Sequence, residues 1–106
     1  MAWSVEIIDE AKTVLENLPQ DIQARFLRIV RLIETHGLQN VHEPYVKHLE
    51  GKVWEMRMQG KDGIARAAYV TATGSRVIVV HVFVKKTNKT PRREILIALQ
   101  RAKEVT

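Results

Sequence analysis

Apolar and polar positions recur along this chain with two periods, and the change from one to the other divides it. Trp3 to Ile8 is short and apolar-rich, which predicts a strand. From Asp9 the period is helical, with Ala11, Val14, Leu15 and Leu18 on one face, until Pro19 breaks it. Ile22, Phe26, Ile29, Val30 and Ile33 then form the stripe of a second amphipathic helix, with Arg25, Arg28 and Arg31 turned mostly outward and Gly37 as its cap. Only Pro19 and its neighbours separate the two, so they are expected to form an antiparallel hairpin. Residues 38–52 show no period, contain Pro44 and read as a loop.

At Val53 the period becomes two. Trp54, Met56 and Met58 alternate with Glu55 and Arg57, predicting a strand with one buried and one polar face. Gly60-Lys61-Asp62-Gly63 supplies a turn, Ile64 to Val70 a second strand, and Thr73-Gly74-Ser75 another turn. Val77 to Val84 is nearly all apolar and β-branched, as in a central strand covered on both faces. Thr90-Pro91 then reads as a helix start, with Thr90 as N-cap and Ile95, Ala98, Leu99 and Ala102 on the buried face. The predicted fold is α+β, in the order strand, helix, helix, three strands, helix. Helices would pack on a small, mostly antiparallel sheet.

Composition narrows the function. The 106 residues fit a single domain spanning 1–106, and 45% hydrophobic with 27% charged residues is the profile of a folded globular chain. The absence of cysteine excludes disulfides, thiolate nucleophiles and cysteine-based zinc sites, and leaves the cytoplasm as the expected compartment. No stretch is long enough to span a bilayer, so no membrane partner is expected. The net charge of +5 hides a division: residues 1–50 sum to −3 and residues 51–106 to +8. A positive field gathered in one half is the footprint expected for a polyanion, above all nucleic acid.

The candidate chemistry lies in that half. Phe83 to Glu94 takes a buried strand into Lys85, Lys86, Lys89, Arg92 and Arg93, five cations within nine positions, at a helix start whose free N–H groups also receive phosphate. Arg57 falls on the polar strand face beside Glu55. Arg66 sits among alanines that should leave its head group accessible. The functional reading is a sheet surface holding guanidinium groups around a scissile phosphate. The bland alternatives are a solvated basic helix start and a structural ion pair of Glu55 with Arg57 or Arg66.

The ordered set Trp54-Glu55-Met56-Arg57, Ala65-Arg66-Ala67-Ala68-Tyr69, His81 to Thr87, and Lys89-Thr90-Pro91 with Glu94-Ile95 and Ala98 resembles the phage-derived (Gp49-like) HigB toxins of the RelE superfamily. The likeness covers nearly the whole chain and is strongest from residue 49. It implies a RelE-like fold and a metal-independent endoribonuclease that cuts messenger RNA on the 70S ribosome and inhibits translation. In that mechanism the ribose 2′-hydroxyl attacks the adjacent phosphate while cations stabilise the transition state. It also implies a HigA-like helix-turn-helix antitoxin as partner, with operator DNA bound only through the toxin–antitoxin complex. Carried over by position, Arg57, Arg66, Lys85 and Lys86 are the catalytic candidates, and Lys89, Arg92, Arg93 and Tyr69 are RNA-binding ones.

Glu55 stands where some relatives carry lysine, which leaves the general base open, and His48 and Glu55 are the candidates for proton transfer. His81, within an apolar strand, reads as a hydrogen-bonded core histidine, and packing competes with base stacking for Tyr69. His42, Glu43, His48 and Glu50 share a loop but match no zinc signature, and neither metal nor cofactor is expected. Two other readings use the same features: a non-catalytic RNA- or DNA-binding module on the basic face, and an adaptor that works through its helices.

Overall fold

The structure, a computed structural model, describes residues 2–61, 63–86 and 89–106. Its elements are β1 (Ser4–Ile7), α1 (Asp9–Glu16), α2 (Gln20–His36), β2 (Val46–Glu50), β3 (Val53–Gln59), β4 (Ile64–Ala72), β5 (Arg76–Lys85) and α3 (Arg92–Val105). The α+β architecture matches the sequence reading, with one strand more. Within the expected loop 38–52, Val46 to Glu50 adds β2 to the sheet, pairing antiparallel with β3 from Val46↔Met56 to Glu50↔Val53. This edge strand carries the exposed Lys47 and His48, and charge on an edge both hides the strand from pattern reading and guards it against further pairing.

The sheet runs β1-β5-β4-β3-β2. All neighbours are antiparallel except β1 with β5, which pair in parallel from Ser4↔Arg76 to Ile7↔Val79. The helical hairpin covers one face: Ile22, Phe26, Ile29 and Ile33 pack with Met56, Met58, Ala65, Ala67 and Tyr69. On the other, Ala98 and Ala102 of α3 press onto Val53, Ala68, Val70, Ile78, Val80 and Phe83. Small side chains on α3 let helix and sheet approach closely, and both faces of β5 are thereby covered. No helix among the described residues is long and apolar enough to cross a membrane.

Two local details position the site. The β3–β4 turn, whose Asp62 lies outside the described residues, docks on the start of α2: the Lys61 N–H donates to Asp21 Oδ2, and a Cβ on Gly60 would stand 2.6 Å from Ile22 Cγ1. Gly37 closes α2 at φ 86°, a left-handed value that suits glycine. The third helix departs from expectation. Pro91 occupies the N-cap position with no side-chain capping bond, and Thr90, expected as the cap, turns to the sheet instead.

Candidate cationic site on the sheet

Successive side chains of a strand point to opposite faces, so Glu55 and Arg57 of β3 lie on the face that α3 covers. Register extends the group. Lys47 is opposite Glu55, Arg66 is opposite Arg57, and Arg66 is opposite Phe83, two positions before Lys85. Charges from four strands are thus brought to one area, beyond the part of the sheet that Ala98 and Ala102 occupy.

The centre of this area is buried. Glu55 is 3% exposed, Arg66 4%, Lys85 4% and Thr90 9%. Arg66 Nε donates to Glu55 Oε2 at 3.2 Å and its Nη1 to the Ala65 carbonyl at 3.0 Å. The Thr90 hydroxyl donates to Glu55 Oε1 at 3.0 Å and accepts from Lys85 Nζ at 3.4 Å. Both carboxylate oxygens are therefore occupied, as a buried charge requires. Two expectations are corrected here. Glu55 is not on a solvated face, and Arg66 is not an accessible head group; they form the structural ion pair that was the alternative reading.

One carboxylate cannot balance the cations around it. Burial pushes the Lys85 ammonium down from its usual range, Arg66, Arg57 and Lys47 push the same way, and Glu55 opposes them. The Arg66 guanidinium is likewise lowered by burial, with Glu55 raising it and Arg57 lowering it, and it remains a cation at neutral pH. Arg57 is half-buried. Its backbone N–H donates to the Tyr45 carbonyl at 2.8 Å, while its Nε is buried without a hydrogen-bond partner among the described residues. Arg57 and Arg66 border a cleft of about 260 Å³ whose opposite wall is α2.

The other candidates are placed as follows. Lys86, Lys89 and Arg93 are exposed at the β5–α3 junction, and Thr87 and Asn88 of that basic stretch lie outside the described residues. Arg92 pairs with Glu50 on the surface, tying α3 to the end of β2. Tyr69 does not face the cations. It packs at 1% exposure on the α2 side, where burial raises its phenol well above the usual range, so packing rather than base stacking describes it.

His48 pairs in register with Trp54, on the sheet face opposite Glu55, and contacts the Trp54 ring edge-on at 5.1 Å, away from the cation group. His81 is the hydrogen-bonded core histidine expected. Its Nδ1 accepts from Arg101 Nη1 at 3.2 Å, leaving Nε2–H to donate to Glu94 Oε1 at 2.7 Å. Residues the sequence reading missed are Thr90, taken for a cap, Lys47, hidden in an apparent loop, and Arg25 and Arg28, which border the cleft from α2. A larger cavity, about 910 Å³, lies along Trp3, Val41, Val46 and Trp54, outside the cation group.

A family model described as Phage derived protein Gp49-like (DUF891) matches residues 13–103. No curated protein matches. Among solved structures, a chain of the archaeal RelE–RelB complex from Pyrococcus horikoshii OT3 superposes with a TM-score of 0.58 at 21% identity, covering 79% of this chain and 96% of that one. A chain of the RelBE2 toxin–antitoxin complex from Mycobacterium tuberculosis does so with a TM-score of 0.58 at 18% identity, covering 80% and 100%. At these identities the likeness establishes a shared RelE-like fold.

Proposed function

From this chain's membership of the phage-derived Gp49-like family, we propose that it is the toxin of a type II toxin–antitoxin pair, an endoribonuclease of the HigB kind. It cleaves messenger RNA on the ribosome, in the cytoplasm, and a HigA-like helix-turn-helix antitoxin neutralises it. The two solved complexes of this fold pair a toxin with an antitoxin, which supports a partner of that class. Operator DNA is reached only through that complex.

The observation that carries the reading is the cation group: Arg57, Arg66 and Lys85 converge on one sheet face where, among the described residues, the carboxylate that meets them is Glu55, already held by Arg66 and Thr90. A phosphate supplies the missing negative charge. In the reaction the ribose 2′-hydroxyl gives up its proton as its oxygen bonds to the neighbouring phosphorus, the P–O5′ bond breaks, and the departing 5′-oxygen takes up a proton; a 2′,3′-cyclic phosphate and a 5′-hydroxyl result, and negative charge builds on the non-bridging oxygens on the way. Arg57, half-buried at the cleft, is the donor we assign to that charge, and Lys86 adds an exposed cation at the end of β5. Glu55 serves as a positioning residue, because both its oxygens are held.

The test is expression of the toxin alone, followed by incubation of purified protein with messenger-programmed ribosomes. Growth arrest and cut messages are expected, and an Arg57→Ala, Lys86→Ala double variant should lose both while remaining folded. A double variant that stays fully toxic would remove the proposed site. Wild-type protein that binds RNA stoichiometrically without cutting it would replace the enzyme with a binding module.

A further inference from the structure

The cleft beside Arg57 is built as much by α2 as by the sheet. Arg25 and Arg28, one helical turn apart, line it together with Arg57 and Arg66, with Tyr45 and Gln59 at the sheet edge between them. Among the described residues, no aspartate or glutamate borders this cleft, and Arg25, Arg28 and Arg57 have no carboxylate partner. Guanidinium groups gathered around one cleft repel one another, and the arrangement is relieved when an anion enters. At about 260 Å³ the space is too narrow for a helix, which with its side chains is about 10–12 Å across. The occupant is therefore thin and polyanionic.

We propose that Arg25 and Arg28 form a second phosphate clamp, which holds the backbone of single-stranded RNA one step along from the phosphate at Arg57. This inference rests on the ribonuclease reading and adds the path of the strand: from the β5 end at Lys86, past Arg57, and out between β3 and α2. Because the clamp grips phosphates and not base edges, it sets position and affinity without choosing sequence.

The probe is a short single-stranded DNA, which has no 2′-hydroxyl and cannot be cut by this chemistry, titrated by fluorescence anisotropy over a salt series. Each phosphate contact contributes about 0.7 to the log–log salt slope for a single strand, so Arg25→Ala, Arg28→Ala should lower the slope by about 1.4. Lys12→Ala, on α1, should leave it unchanged. With messenger-programmed ribosomes the same double variant should raise KM by about tenfold or more while kcat holds, the signature of lost uniform binding. Both arginines are exposed on a helix, where alanine is a good helix former, so folding is preserved. An unchanged slope in a wild type that binds and cuts would overturn the clamp and leave the ribonuclease standing. A wild type that neither binds the strand nor cuts RNA would bring down the ribonuclease reading and the clamp with it.

Discussion

Arg57 and Arg66 stand opposite each other on β3 and β4, and among the described residues only Arg66 has a carboxylate to rest against. Under the proposed function the pair divides its work, one arginine holding the fold together and the other meeting the substrate. Substituting them should give opposite profiles. Arg66→Ala removes the cation hydrogen-bonded to buried Glu55, leaving one of its carboxylate oxygens without that partner, and should cost about 3–5 kcal/mol in urea unfolding. Arg57→Ala removes a donor that already lacks a partner, should move stability by less than about 1 kcal/mol, and should cut RNA cleavage by about 10²–10³-fold. Equal losses of stability in the two variants would refute the division.

Thr90 links Glu55 to Lys85 through a single hydroxyl. Thr90→Val keeps the shape and deletes that hydroxyl, leaving a carboxylate oxygen and an ammonium short of one partner each. We expect a loss of about 1–3 kcal/mol, with Thr90→Ser close to wild type. A Thr90→Val protein as stable as the parent would show that the link contributes nothing.

Tyr69 gives a pH prediction. Its phenol is raised in the folded state by burial, from an ordinary value of 10.0, so above pH 10 the unfolded chain ionises while the folded chain holds its proton. The folded state then binds more protons, and stability falls as pH rises. Tyr69→Phe should flatten the decline above pH 10 in denaturant titrations at stepped pH. A decline of unchanged steepness would assign the alkaline loss to other groups.

Gly60 marks where the β3–β4 turn meets α2. A Cβ there would lie 2.6 Å from Ile22 Cγ1 and 2.7 Å from Asp21 Oδ2, and Ile22 is fixed in the core. Gly60→Ala should cost about 1–3 kcal/mol. Thermal melting should register about 4–8 °C lost per kcal/mol. The same change would loosen the turn that holds β3 against the cleft-lining helix, so RNA affinity should fall with it.

Periodicity made the three helices, the β3–β4–β5 meander and the Gly37 cap legible, because each is a local pattern. Alternation also placed Arg57 with Glu55 on one strand face. What it could not show is which faces are covered. Glu55 and Arg66 read as solvated because polar residues at every second position look the same whether water or another element lies above them. The strand β2 escaped because an edge strand needs only a thin apolar pattern, and Val46 and Leu49 are its only aliphatic residues. Thr90 was misassigned because Thr-Pro is equally a cap signal, and only the tertiary fold decides which polar group its hydroxyl finds.

The parallel pairing of β1 with β5 has a consequence for timing. The first strand made has no partner until Arg76 to Val79 exist, and Glu55 lacks its second donor until Thr90 has followed. While the chain is being synthesised, the early helices and β3 present an open sheet edge and an incomplete charge cluster. Such distant pairings form slowly and late. The charge cluster around Glu55 is thus the last part of this sheet to be completed, after nearly the whole chain has been made.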